Sequence, residues 1–323
     1  MLELAPLYAP ISEDLKRVDQ VLRHELRSSI SSVDALCRHV ERYRGKMLRP
    51  AVLLLSGRAC GNVRRAHDTL AAVVEMVHLA TLVHDDVLDD SDIRRSCETV
   101  NRMWGTESAV LLGDYLFSHA FALCSSLESQ FASQLIGKTA STLCEGELIQ
   151  VSRRNDFTLS EETYFDIIAR KTASLTRTCC TLGARYAGAD PGVVAQLAQF
   201  GRSLGMAFQI ADDLLDLTGD EQETGKTVGR DVCKGKITLP IIHFLREQPD
   251  GRRDEMLEIL GGGQADTYRR VSELLNESDS IEYARDHARS HIAMAVESLS
   301  ELPVSDARGA LTAMAEFVLS RRG

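Results

Sequence analysis

Leu79-Ala80-Thr81-Leu82-Val83-His84-Asp85-Asp86-Val87-Leu88-Asp89 carries the decisive pattern of this chain: an apolar run that ends in carboxylates at i, i+1 and i+4. A second stretch, Phe208-Gln209-Ile210-Ala211-Asp212-Asp213-Leu214-Leu215-Asp216, repeats the arrangement. Four residues make slightly more than one helical turn, so the first and last aspartates of each run share a helix face. Aspartate is a poor choice for a helix interior, and acidic charge at a helix C-terminus opposes the macrodipole. A solvated helix end accommodates one such run; two, each after a long apolar stretch, need another explanation. Six carboxylates around one cavity repel unless divalent cations neutralise them. Hard oxygen donors with room for water and phosphate suit Mg²⁺ rather than zinc.

Outward from these runs the periodicity is helical. Ile11, Leu15, Val18, Leu22 and Leu26 recur at three and four, with Ser12 as the expected N-cap. Asp190-Pro191 reads as N-cap and first-turn proline for the second acidic helix, and Thr158 with Glu161 as a capping box. Helices are expected near 11–29, 32–43, 48–59, 65–90, 106–127, 129–151, 160–187, 191–218, 237–247, 252–260, 265–276, 279–300 and 305–321. No strand alternation is visible, and no segment resembles a flexible linker. The expected fold is all-α, one helical bundle over residues 1–323 with a central cavity.

Bulk properties narrow the function. With 44% apolar residues the chain can build a large core. A formal charge of −10 and 5% aromatics exclude a broad nucleic-acid surface or a base-stacking platform. The eight cysteines form no C-x-x-C pair and read as free thiols of a cytoplasmic protein. Residues 1–10 lack a basic start followed by an apolar run, so no signal peptide is expected. The longest apolar segments are broken by His78, His84 and Asp85, or by Asp114, which argues against a membrane span.

Cations accompany the carboxylates. Arg44-Gly45-Lys46-Met47-Leu48-Arg49-Pro50 sets Lys46 and Arg49 at a helix start, where free N–H groups and basic side chains seat a diphosphate. Arg94-Arg95 lies just beyond the first acidic run, and Lys226, Arg230, Lys234 and Lys236 follow the second. Singly, such groups are more often solvated; their repeated placement beside carboxylates favours a site. His78 lies two turns before Asp85, Gln209 one turn before Asp212, and Lys171-Thr172 interrupts an apolar helix. A lysine there needs an anionic partner.

In these residues the chain resembles the trans-isoprenyl diphosphate synthases, the polyprenyl synthetase family, of the medium- and long-chain octaprenyl and heptaprenyl type. The likeness is carried by Gly45-Lys46-x-x-Arg49-Pro50, Glu75-Met76-Val77-His78, both acidic runs, Arg94-Arg95, Gly113-Asp114-Tyr115-Leu116-Phe117, Lys171-Thr172-Ala173, and Gly225-Lys226 through Gly235-Lys236-x-Thr238-Leu239-Pro240. Arg44 departs from a frequent glycine, and Ser96 follows the double arginine in place of glycine. The resemblance implies a prenyltransferase that condenses isopentenyl diphosphate with an allylic diphosphate, farnesyl or geranylgeranyl diphosphate. Asp85, Asp89 and Asp212 would hold Mg²⁺, three ions per active site with Mn²⁺ as a substitute. Asp86, Asp213, Asp216 and Lys171 would complete the catalytic set. Gly45, Lys46, Arg49, His78 and Arg95 would bind isopentenyl diphosphate; Arg94, Lys171, Thr172, Gln209, Lys226 and Lys236 would bind the allylic diphosphate. A homodimer with at most peripheral membrane contact is also implied.

Product length has its own signal. Ala80 and Thr81, five and four residues before Asp85, are small, so no aromatic plug closes a pocket beside that helix. A helix over 65–90 is about 39 Å long, and an isoprene unit extends roughly 4–5 Å. The ceiling is therefore near C40 to C45, and a product of C30 to C40 is expected, with Ala80→Phe shortening it. Two other readings compete. A terpene cyclase needs no second diphosphate seat, and a non-catalytic scaffold subunit has no use for six intact carboxylates.

Overall fold

The computed structural model describes residues 4–219, 229–262 and 266–320, and nearly all of them are helical. The helices are α1 Leu4–Leu7, α2 Ser12–Glu25, α3 Ser31–Val40, α4 Leu48–Ala59, α5 Arg65–Leu88, α6 Val100–Trp104, α7 Thr106–Ser125, α8 Gln130–Ser152, α9 Glu161–Ile168, α10 Ser174–Ala187, α11 Pro191–Thr218, α12 Arg230–Cys233, α13 Leu239–Glu247, α14 Asp250–Gly262, α15 Thr267–Asn276, α16 Ser280–Glu297 and α17 Asp306–Ser320. The all-α expectation holds, and α4 and α11 begin and end where the periodicity puts them.

Local chemistry moves several boundaries. Ser12 is the first residue of α2 rather than its cap, because a 3₁₀ turn, Ala9–Ile11, runs into the helix. The cap of α9 is Ser160, whose Oγ accepts from the Thr163 N–H at 3.2 Å. Thr158 is drawn away by Asp156, to which its hydroxyl donates at 2.6 Å. The helix expected over 160–187 is interrupted by a π turn, Ala169–Ala173, between α9 and α10. A two-residue antiparallel pair, β1 Ile93–Arg94 and β2 Cys97–Glu98, breaks the expectation of no strands. Its turn holds Arg95 at φ 48° and Ser96 at φ 61°. Both centres of a tight hairpin adopt positive φ, so the serine occupies a conformation that glycine takes without strain.

The bundle is organised around α5. Leu70, Val73, Val74, Met76, Val77, Leu79, Ala80 and Val83 are each no more than 1% exposed. A helix apolar nearly all round belongs inside, and α5 packs against α2, α4, α7 and α10. α5 and α7 are both long and apolar enough to cross a membrane by length and composition; α5 is a buried core helix, whereas α7 leaves Val110 and Leu111 exposed. α11 serves two apolar clusters with two faces. Leu197, Phe200, Leu204 and Ala207 join the cluster that also holds α4, α5 and α10, and α10 is the neighbour they share it with most closely, while Met206, Ile210, Leu214 and Leu217 join that of α13 and α16. All eight cysteines are free thiols; Cys37, Cys124, Cys179 and Cys180 are buried, and Cys144 and Cys233 are exposed.

α4 and α10 cross at near-backbone contact. A Cβ on Gly183 would lie 2.1 Å from the Leu53 carbonyl oxygen and 3.0 Å from Ser56 Cβ. The Gly183 carbonyl is also 3.0 Å from His67 Nε2, which ties α10 to α5. Gly183→Ala is therefore expected to destabilise the protein by about 3 kcal/mol, since overpacking forces backbone to move. Urea denaturation would read this directly, and an unchanged midpoint would mean that the crossing is looser than it stands here.

Candidate active site

The first acidic run closes α5. Asp85 is half-buried on its last turn; burial pushes its carboxyl up, with Lys171 opposing and Glu147 and Asp89 reinforcing. Asp86 is 1% exposed and ion-paired to Arg94 at 2.8 Å. The pair pins the β1 hairpin to α5, and Arg94 remains close enough to Asp85 to favour its negative charge. With Arg95 and Ser96 both at positive φ, the chain turns back immediately after Arg94.

The second run lies on α11 with its own partners. Asp213 accepts from the Tyr164 hydroxyl at 2.6 Å and from Gln209 Nε2 at 2.7 Å. Asp216 accepts from the backbone N–H groups of Arg230 and Asp231 at 3.2 and 2.9 Å, fixing the first turn of α12. Burial, then Asp231, pushes Asp213 up to about 8 and Asp216 up to about 6. Buried carboxylates this crowded disfavour each other's negative charge. Asp212 is half-buried on the same helix.

The two runs meet through lysine. Lys236 Nζ lies 3.3 Å from Asp89 and 3.3 Å from Asp231, so one ammonium links the end of α5 to the loop anchored on Asp216. Burial would push the Asp89 carboxyl up, but Lys236, Lys234 and Lys171 outweigh it and hold it below the usual carboxylate range. Lys171 pairs with Glu147 and donates to Gln150 Oε1 at 2.8 Å, which supplies the anion its position demanded. Thr172 donates to Gln209 Oε1 at 2.6 Å, and Gln209 in turn holds Asp213. The π turn puts Lys171 and Thr172 into this chain of contacts; such turns concentrate at functional sites. Gln150, Lys171, Gln209, Asp213, Asp231 and Lys236 line one cleft.

A second basic pocket lies across α5. Arg49 and Arg95 gather around His78 and the buried carboxyl of Glu75. Burial, with Arg49, Arg95 and Arg94, keeps His78 well below its ordinary pKa, so the imidazole is neutral. Arg95 donates to the Tyr43 carbonyl at 2.6 Å, and a Cβ on Gly45 would lie 2.1 Å from its guanidinium, so a larger residue there would push that side chain from its place. Lys46 stands apart from this group: it is exposed, with its ammonium 5.9 Å from the centre of the Phe317 ring. Arg49 also lines a small, mostly apolar cavity with Leu48, Val52, Thr172, Thr176, Leu204, Gly205 and Phe208. Arg49 and Thr172 thus connect the basic pocket to the acidic cleft.

Two candidates stand differently from the sequence reading. Ala80 is fully buried and lies about 140° around α5 from Asp85, whereas Thr81 lies about 40° away. Thr81, half-buried, shares the open face with His78 and Asp85; Ala80 does not. Lys226 and Gly225 fall outside the described residues. Sequence reasoning assigned no role to Glu147, Gln150, Tyr164 and Asp231. The demand of Lys171 for an anion was the only pointer to Glu147.

Among the described residues, no group of three or more His, Cys, Asp or Glu side chains stands ready to hold a metal unaided. The donors nevertheless fit Mg²⁺. They are carboxylates in excess of nearby cations on α11, and Mg²⁺ takes one or two carboxylates and completes its shell with water and substrate phosphate.

The comparisons with known proteins agree with this geometry. A profile of the polyprenyl synthetase family matches residues 31–278. The short chain isoprenyl diphosphate synthase of Methanothermobacter thermautotrophicus is 35% identical, with 96% of this chain and 98% of that protein covered. The octaprenyl diphosphate synthase of Escherichia coli is 34% identical, with 96% of each covered. The crystal structure of a polyprenyl synthase from Caulobacter crescentus, complexed with calcium and isoprenyl diphosphate, superposes with a TM-score of 0.94 at 34% identity, covering 99% of this chain and 98% of that one. With two acidic runs linked across one cleft and a separate basic pocket alongside, the chain belongs to the polyprenyl synthetase family and is a prenyltransferase.

Proposed function

We propose that the protein condenses isopentenyl diphosphate with an allylic diphosphate, head to tail and with trans geometry, releasing diphosphate and extending a polyprenyl chain beyond C20. The observation that carries this reading is the pairing of two unlike anion seats, the acidic cleft linked by Lys236 and the basic pocket of Arg49, His78 and Arg95. A cyclase, which ionises one diphosphate, has no use for the second.

Asp85, Asp89 and Asp212 would hold Mg²⁺ ions, or Mn²⁺ in their place. The ions supply Lewis-acid stabilisation of the departing diphosphate. Lys171 and Lys236 add fixed positive charge beside the same anion, and the chain Thr172–Gln209–Asp213 holds the cleft wall in register. Arg49, Arg95 and neutral His78 would grip the other diphosphate, and the apolar cavity beside Arg49 would orient its isopentenyl tail toward Thr172. Lys46, at the rim, would close on that diphosphate from outside. Asp86 and Arg94 act through each other to hold the hairpin that carries Arg95. The exposed apolar side chains of α6 and α7, Met103, Trp104, Val110 and Leu111, support a homodimer that covers this face. The free thiols support a cytoplasmic location, with peripheral membrane contact only to discharge product.

Relatives named for short and for octaprenyl products are about equally similar, so length rests on this chain's own residues. Thr81 is small and shares the face of Asp85, which supports a product of C30 to C40. With isopentenyl and farnesyl diphosphates, chromatography should show products longer than C20, and Thr81→Phe should shorten them by several isoprene units. A wild-type stop at C15 or C20 defeats the length assignment, and failure to consume isopentenyl diphosphate defeats the function.

A further inference from the structure

Asp89 ends α5 with a cation against each of its carboxylate oxygens. Lys234 Nζ is 3.4 Å and an Arg154 guanidinium nitrogen 3.6 Å from Oδ1, while Lys236 Nζ is 3.3 Å from Oδ2. Lys236 also faces Asp231 and belongs to the cleft. Lys234 and Arg154 instead have a second hold on the helix end: Lys234 donates to the Asp89 carbonyl, and Arg154 to the Leu88 carbonyl at 3.3 Å. Unpaired carbonyls at a helix C-terminus attract cations, so these contacts keep both side chains beside Asp89. The two come from separate segments, after α8 and at the end of α12, which are fastened together where the Asn155 N–H donates to the Gly235 carbonyl at 2.8 Å.

An ion ligated by Asp89 must approach an oxygen to about 2.1 Å. That places two positive charges within a few ångströms of Lys234 and Arg154. Their side chains are 22% and 29% exposed, and that of Asp89 is 22% exposed, so the repulsion is screened less than at an open surface. Among the described residues, no such pair of capping cations is built against Asp213 or Asp216, whose partners there are a phenol, an amide and backbone N–H groups.

We propose that Lys234 and Arg154 are built-in competitors of the divalent ion at Asp89 and set the metal concentration at which that position fills. The inference rests on the reading of Asp89 as a ligand. It assigns the two residues a task separate from gripping diphosphate, and it gives the opposite sign: removing either cation should tighten metal binding.

The test is a Mn²⁺ titration of the full-length protein, with free ion followed by electron paramagnetic resonance. Lys234→Gln and Arg154→Gln retain an amide that can donate to the helix-end carbonyl, and Lys234→Arg retains the charge. Each glutamine variant is expected to bind the first Mn²⁺ about tenfold more tightly than the parent. Lys234→Arg should bind as the parent does, and Asp89→Asn should lose the tight class. The half-saturating Mg²⁺ concentration for condensation should fall by the same factor in the glutamine variants. Unchanged or weaker binding in both glutamine variants, alongside loss in Asp89→Asn, refutes competition and leaves Asp89 a ligand. Parent-like binding by Asp89→Asn instead removes the ligand reading itself and the inference with it. Because the two cations sit on different segments, misfolding of one variant, seen as a lost thermal transition, leaves the other to decide.

Discussion

Asp85→Asn should lower kcat/KM by about 10³ while leaving the melting temperature close to that of the parent protein. The activity loss follows from charge: a leaving diphosphate must be stabilised as it departs, and removing one preorganised electrostatic element costs about 10²–10³ in rate. Loss of a metal ligand belongs at the upper end of that range. The stability half of the prediction follows from the environment of Asp85. Burial, Glu147 and Asp89 disfavour its negative charge and together outweigh Lys171 and Arg94, so a neutral amide of the same shape relieves repulsion. Steady-state kinetics with both substrates, run beside a thermal melt, separates the two effects. Turnover within tenfold of the parent would sink the role given to Asp85; a collapsed melt would show instead that the carboxylate holds the fold.

Arg49→Leu is expected to raise KM for isopentenyl diphosphate by about 10²-fold, the equivalent of one or two lost charge-assisted hydrogen bonds. The KM for the allylic substrate should change little, because Arg49 belongs to the basic pocket. This variant should also be destabilised, since Glu75 would be left buried with the first of its compensating charges gone. Burial already pushes Glu75 up, and Arg49, Arg44 and Arg95 pull it back. The double variant Arg49→Leu with Glu75→Gln therefore recovers the melting temperature but not the KM. Recovery of both would mean that Arg49 serves only to neutralise Glu75. An unchanged KM in the single variant would remove Arg49 from the substrate site altogether.

The acidic runs were legible because aspartate inside an apolar helix is expensive, and the sequence does it twice. Helix existence was equally plain, since α5 and α11 each repeat apolar residues over many turns. What escaped was pairing across the fold. Lys171 announced that it needed an anion, but Glu147 lies on another helix and periodicity gives no hint of which face meets which. Arg94 and Arg95 are neighbours with the same chemistry, and only the backbone turn separates their destinations: Asp86 for one, the Tyr43 carbonyl for the other. Ala80 and Thr81 were judged by size alone, although one residue along a helix is about 100° around it. The β1–β2 pair is too short to show alternation. Asp231 was hidden in a loop rich in glycine and lysine, where a single carboxylate reads as ordinary solubility.

The π turn at Ala169–Ala173 has a consequence for how this stretch of gene can change. A wider turn accommodates one residue more than regular helix would, so dropping a single codon there would still leave a continuous helix with good propensity. The flanking α9 and α10 would stay in phase, because the wide turn absorbs its extra residue locally. The damage would fall instead on the turn's own side chains: Lys171 and Thr172 would be re-aimed away from Glu147 and Gln209 while the core contacts of α10 persisted. A one-codon deletion at these five positions should therefore yield a chain that still folds and no longer turns over, a lesion invisible to any screen for stability.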